Sequence, residues 1–79
     1  MLTPDAKLKL SSKLYDLEWS IQEDMKKLNL NTTALSAAAI KGDFKRTEEI
    51  RIIILDIYGG ILDNICAQAK IVRELHQIS

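Results

Sequence analysis

The first third of the chain carries apolar residues along one face of a predicted helix. Six of them follow one another at intervals of three and four: Leu10, Leu14, Leu17, Ile21, Met25 and Leu28. That spacing is typical of an amphipathic α-helix. Thr3 suits the N-cap and Pro4 the first helical position, where a missing N–H costs nothing. We therefore predict a helix over about 4–30, ending at the Asn-Thr-Thr sequence at 31–33, which favours a turn or a new cap.

The middle of the chain predicts a short helical elbow. Residues 34–40 are rich in alanine, Thr32 or Thr33 can cap them, and Gly42 suits the C′ position that follows a helix. We expect this short helix over about 33–41. Asp43 can cap the next helix, with the Thr-Glu-Glu sequence at 47–49 as a competing start.

The last part of the chain has the clearest period. One polar stripe repeats mainly at intervals of seven: Glu49, Asp56, Asp63, Lys70 and then Glu74. Apolar residues lie opposite it: Ile50, Ile54, Ile57, Tyr58, Ile61, Ile65, Val72 and Leu75. Because the register is the same on both sides of Gly59 and Gly60, we predict one long helix over about 44–77. The alternative is two helices that break at the glycines.

Both long helices carry apolar residues outside their main stripes. Leu8, Tyr15 and Trp19 lie nearly opposite the main stripe of the first helix. Ile52, Ile53 and Leu55 extend the apolar surface of the last helix. We expect an all-α antiparallel helical hairpin, a single domain over 1–79, that completes a four-helix-type bundle with itself or with a partner. An isolated monomer is the least favoured state.

Composition narrows the function classes. The chain has 79 residues, 47% of them apolar and 28% charged, with a formal net charge of zero. Zero net charge argues against a dedicated nucleic-acid binder, whose affinity comes from a basic surface. We find no basic-then-apolar leader and no apolar run long enough to span a membrane. We therefore expect a cytoplasmic protein.

The chain offers little for catalysis or metal binding. Cys66 and His76 are the single cysteine and the single histidine, and ten residues on one helix place them on different faces. We expect Cys66 to be a small hydrophobic residue in or beside the core, and His76 to assist the end of the last helix. No metal-ligand motif is present. We expect no enzyme, no cofactor and no small-molecule substrate.

The leading functional hypothesis is a protein–protein interaction module, an adaptor, regulator or assembly factor that acts through helix–helix contacts. Five residues are its candidate partner-binding set: Leu8, Tyr15, Trp19, Ile52 and Leu55. The alternative for Leu8, Tyr15 and Trp19 is internal packing beneath the Ala-rich segment.

The alternative function is a small helical dimer that binds nucleic acid through a basic edge. That edge would comprise six residues: Lys7, Lys9, Lys13, Lys41, Lys45 and Arg46. In size and outline the chain resembles the helical-hairpin co-chaperones of bacterial type III secretion, and also small phage or plasmid accessory proteins. No motif carries either resemblance, so neither assigns residues.

Overall fold

The chain forms a hairpin of two long helices. A computed structural model describes residues 3–77, with α1 over Pro4–Lys41 and α2 over Phe44–His76. The two helices pack side by side, and the Cα atoms span 58 by 15 by 13 Å. Residues 3–77 contain no β-strand. The predicted all-α antiparallel hairpin is confirmed.

The helix ends follow the predicted capping. The Thr3 hydroxyl accepts a hydrogen bond from the Ala6 N–H at 3.1 Å, and Pro4 is the first helical residue. Gly42 has a φ of 75°, the left-handed conformation that glycine adopts without strain. The Asp43 carboxylate then accepts from the Arg46 N–H at 3.1 Å and so begins α2. The competing start at 47–49 is not used.

The predicted break after Leu30 is wrong. No separate helix covers 33–41, because α1 continues without interruption to Lys41. The Asn31 side chain donates to the Lys27 carbonyl at 2.8 Å, and the Thr33 hydroxyl donates to the Asn29 carbonyl at 3.0 Å. These side chains thus bond to the preceding turn of the same helix instead of capping a new one.

The contact between the helices is a continuous seam. On α1 its buried and half-buried residues alternate at intervals of four and three: Leu10, Leu14, Leu17, Ile21, Asp24, Leu28, Asn31, Leu35 and Ala38. On α2 they do the same: Ile50, Ile54, Ile57, Ile61, Asn64, Gln68, Ile71 and Leu75. A strict seven-residue repeat of this kind is typical of a coiled coil. The hairpin is therefore a two-helix antiparallel coiled coil.

The seam differs from the apolar stripes predicted from the sequence. Met25 is 47% exposed, and half-buried Asp24 takes its place in the seam. Tyr58, Ile65 and Val72 are also exposed, although the sequence placed them with the core isoleucines of α2.

The last helix continues through its two glycines, as predicted. Gly60 is half-buried and lies opposite Asp24 of α1. A Cβ atom at Gly60 would lie 3.7 Å from the Asp24 Oδ2, which is an ordinary van der Waals contact.

Candidate helix-docking face

A second apolar repeat runs along α2 outside the seam. We call it the α2 stripe, and its members alternate at intervals of three and four: Leu55, Tyr58, Leu62, Ile65, Ala69 and Val72. All six are exposed, and the five larger side chains are between 41% and 59% exposed. The α2 stripe thus has the period of a coiled-coil contact but no neighbour within the hairpin.

The direction of the α2 stripe follows from helix geometry. Each residue of an α-helix turns by about 100° around the axis. On that basis the mean direction of the α2 stripe lies about 90° from that of the seam. In a four-helix bundle each helix contacts two neighbours at roughly this angle. The α2 stripe therefore lies where a second neighbour would pack in such a bundle, and the hairpin itself supplies one neighbour, α1.

The aromatic strip of α1, Leu8, Tyr15 and Trp19, is open to solvent. Its side chains are between 67% and 73% exposed. Internal packing beneath the Ala-rich segment is therefore wrong, since that segment is the far end of the same helix.

The aromatic strip adjoins the α2 stripe. Tyr15 lines a groove together with Leu14 of the seam and Gln68 of α2. Gln68 is three residues after Ile65 and four before Val72, so this groove borders the α2 stripe. Tyr15 also lines a shallow groove with Trp19 on α1 itself. The groove beside Gln68 is also lined by Ser11 and Glu18, so the aromatic strip and the α2 stripe meet at a partly polar groove.

The structure separates the two parts of the predicted partner-binding set. Leu17 shares a groove with Ala67, and Asp24 faces Gly60, so Trp19 is level with about residue 65. Leu55 begins the α2 stripe, about 15 Å nearer the turn at 1.5 Å per residue. Ile52 is 60% exposed and lies still nearer the turn, outside the stripe. Leu55 thus belongs to the α2 stripe but lies about 21 Å along the helices from the level of Tyr15, and Ile52 lies outside the stripe.

The other side of the hairpin is charged. Lys13 and Asp16 of α1 and Lys70 and Glu74 of α2 line the groove on that side. The polar stripe predicted on α2 is exposed throughout. The hairpin therefore has one side that carries the α2 stripe, which we call the apolar side, and one side whose groove combines both charge signs with four apolar residues: Leu10, Leu17, Ala67 and Ile71.

An ion pair ends the apolar run of the α2 stripe towards the turn. Glu48 and Arg51 continue the same seven-residue register, and their Oε2 and Nη2 atoms are 2.9 Å apart. The hydrogen bond from Arg51, and then its charge, lower the pKa of the Glu48 carboxyl below its ordinary value. The same two contacts raise the pKa of Arg51.

The basic residues proposed for nucleic-acid binding do not form one edge. Lys7, Lys9 and Lys13 lie in the first turns of α1, whereas Lys41, Lys45 and Arg46 flank the turn. The 28 residues from Lys13 to Lys41 span about 42 Å of helix. Arg46 is also paired with Glu49 at 3.4 Å.

The remaining polar chemistry is sparse. Cys66 is exposed, so its predicted place in or beside the core is wrong. No group of three or more metal-ligating side chains occurs within residues 3–77. Over the same residues, neither helix is long and apolar enough to cross a membrane.

The fold defines a helical-hairpin protein with one exposed apolar side. Comparisons with protein-family models, with curated proteins and with solved structures find no match for this chain.

Sequence reasoning missed five members of the α2 stripe as surface residues: Tyr58, Ile65 and Val72 were placed in the main apolar stripe, and Leu62 and Ala69 were not singled out. The signal was present, because two interleaved seven-residue repeats run along α2, each alternating three and four. A single wide apolar stripe merged them.

Proposed function

We propose that this protein is a small non-enzymatic interaction module, an adaptor, regulator or assembly factor that binds other helices through its apolar side. The observation that carries the proposal is the α2 stripe, six exposed apolar residues in the repeat of a helix–helix contact, on a hairpin whose opposite groove holds charges of both signs. Contiguous apolar surface of this kind, bordered by polar residues, marks a protein-interaction site.

The accessible surface supports this proposal. The chain exposes 6205 Å² for a mass of 8.9 kDa. An ordinary folded monomer of that mass exposes about 4,800 Å². The excess is larger than the roughly 800 Å² that each partner contributes to a standard interface. The hairpin therefore has enough uncovered surface for one stable partner.

The side chains of the aromatic strip suit strong binding. Tyrosine and tryptophan are enriched among the residues that contribute most to interfaces, because they bury a large area at a small entropy cost. Because α1 is already a helix, it holds these side chains at fixed positions, which lowers the conformational entropy lost on association. Tyr15 and Trp19 are the anchors we expect on α1.

Two leucines of α1 allow a matched test of the strip. Leu8 is 67% exposed within it and Leu30 is 73% exposed outside it. The immobilised chain would be used to capture proteins from its native cell extract. Recovery of a true partner should fall at least about tenfold for Leu8→Ala and for Trp19→Ala, but not for Leu30→Ala. Circular dichroism of each variant checks that the helices are intact.

Two results would contradict the proposal. One is equal recovery of every captured protein by all three variants, since binding would then not depend on the aromatic strip. The other is capture of nucleic acid alone, weakening steeply as salt rises.

A further inference from the structure

We propose that the α2 stripe is the contact of a symmetric homodimer, in which α2 packs antiparallel against α2 of a second copy to form a four-helix bundle. This inference rests on the proposed function, because it names one occupant of the same apolar side. It leaves Leu8 and Trp19 of the aromatic strip for a different protein, whereas Tyr15, which lines a groove with Gln68, lies beside the dimer contact.

The first argument is that no other surface in residues 3–77 matches the stripe. The corresponding positions of α1, next to its own seam, are mostly polar: Ser11, Tyr15, Glu18, Gln22, Met25, Asn29, Thr32 and Ser36. Packing the α2 stripe on these positions would bury a carboxylate and several amides and hydroxyls, which costs free energy unless each finds a partner. The same stripe on a second copy is apolar at all six positions. The α2 stripe therefore fits another α2 better than it fits α1.

The second argument is the order of large and small side chains. An antiparallel pair centred between Leu62 and Ile65 places Leu62 opposite Ile65 of the second copy. It also places Tyr58, the largest member, opposite Ala69 of the second copy, the smallest. Leu55 then faces Val72 of the second copy. Facing positions that alternate large and small side chains are what a close-packed contact requires.

A parallel pair would not have this match. Each residue would face itself, so that Tyr58 would oppose Tyr58 and leave Ala69 opposite Ala69. The Tyr58 pair would be too large for the contact and the Ala69 pair would leave a cavity. Both overpacking and cavities destabilise packed helices. The size order of the α2 stripe therefore favours the antiparallel pair.

The third argument is the available area. A twofold dimer uses the same surface on both copies, so each charge or gap would occur twice. The face that carries the stripe is as long as the hairpin, 58 Å, and about 15 Å wide. Burying this whole face, the mostly polar positions of α1 included, would reach the roughly 800 Å² per partner of a standard interface.

The first experiment measures molar mass by light scattering behind a sizing column, over a wide range of concentration. We expect a dimer. Leu62→Lys should weaken it at least about 100-fold, because twofold symmetry places two buried charges in the contact. Leu30→Lys is the matched control, since Leu30 is an exposed leucine of α1 that lies outside the α2 stripe. A dimer that withstands Leu62→Lys would overturn the inference.

The second experiment fixes the direction of the helices and does not depend on the folding of Leu62→Lys. In a Cys66→Ser background, one sample carries Leu55→Cys and the other carries Val72→Cys with a mass tag. A disulfide requires Cα atoms within about 7 Å. The antiparallel pair predicts a mixed disulfide and no disulfide in either sample alone, because two copies of residue 55 would be about 26 Å apart. A disulfide between two Leu55→Cys chains would show a parallel pair and overturn the inference.

The two proposals fail separately. A wild-type chain that is a folded monomer at every concentration overturns the homodimer, but leaves the Leu8 and Trp19 test of partner binding intact. If the wild-type chain is a dimer and recovery of captured proteins is unchanged by Leu8→Ala and Trp19→Ala, the homodimer is supported and the proposed function is contradicted.

Discussion

The seam inside the hairpin and the α2 stripe on its surface have the same period but opposite chemistry. The seam is partly polar, since Asp24 and Asn31 of α1 and Asn64 and Gln68 of α2 occupy contact positions. The α2 stripe, which faces solvent, has no polar member. Polar residues in a coiled-coil contact specify register at a cost in stability. The comparison teaches that the intramolecular seam carries polar residues of the kind that set register, whereas the exposed α2 stripe is apolar at all six positions.

The largest expected effect is on the free energy of unfolding, and it distinguishes a seam residue of α2 from a surface residue of the same helix. Ile50 is 1% exposed and Ile52 is 60% exposed, only two residues apart. Ile50→Ala should lower the free energy of unfolding by about 2–4 kcal/mol, because it leaves a cavity beside Ile54 and Ala38. Ile52→Ala should change it by less than about 0.5 kcal/mol. Urea unfolding of both variants measures the difference, and equal losses would contradict the burial that separates these two isoleucines.

A smaller effect tests the polar positions of the seam. Asn64 is half-buried between Ile61 and Gln68 in the contact series of α2. Asn64→Leu should raise the free energy of unfolding by about 1 kcal/mol, since it adds apolar burial at a coiled-coil position. The thermal midpoint would show the gain. Cys66→Leu, two residues further on but exposed, is the control, and an equal gain there would count against a specific role of the seam.

The sequence predicts the helices better than it predicts their contacts. The caps at Thr3 and Asp43 and the turn at Gly42 depend on local hydrogen bonds and on backbone conformation, so they can be inferred from residue type. The Asn-Thr-Thr sequence at 31–33 was misjudged because the same side chains can either cap a helix or bond to its preceding carbonyls. Tertiary packing against α2 favours the second arrangement.

The candidate site could be predicted only in part, because the position of α1 decides which apolar residues of α2 are covered. Ile61 and Ile65 have the same side chain and are one turn apart, yet the first is buried and the second is 45% exposed. Their difference is a rotation of about 40° around the helix, and only the position of α1 decides which of them is covered. Leu8, Tyr15 and Trp19 were identified because they lie opposite the main stripe, where no packing partner competes for them.

The smallest expected effect concerns the polar end of the α2 stripe. Because the pKa of Glu48 is lowered in the folded protein, its pairing with Arg51 contributes stability above the ordinary value of 4.5. That contribution is lost as the pH falls through the lowered pKa. Glu48→Gln should therefore have a slightly lower melting temperature than the wild type at neutral pH, and the gap should close in acid.

The effect is small because both side chains are exposed and solvent screens their attraction. Arg51→Gln removes the same pair from the other side and should show the same dependence on pH. A gap that persists well below pH 4.5 for both variants would rule out this ion pair as its origin.

The hairpin brings Thr3 and Gln77 to one end of the molecule and leaves the Gly42 turn at the other. In the proposed antiparallel dimer, the chain ends of the two copies would therefore emerge at opposite poles. With the pair centred between Leu62 and Ile65, the two copies of Gln77 would be about 40 Å apart along the helices, and cargoes fused there would be separated by about that distance. The dimer would thus hold two cargoes at a distance fixed by the length of its helices. Inserting or deleting one seven-residue repeat in each helix would change that distance in defined steps.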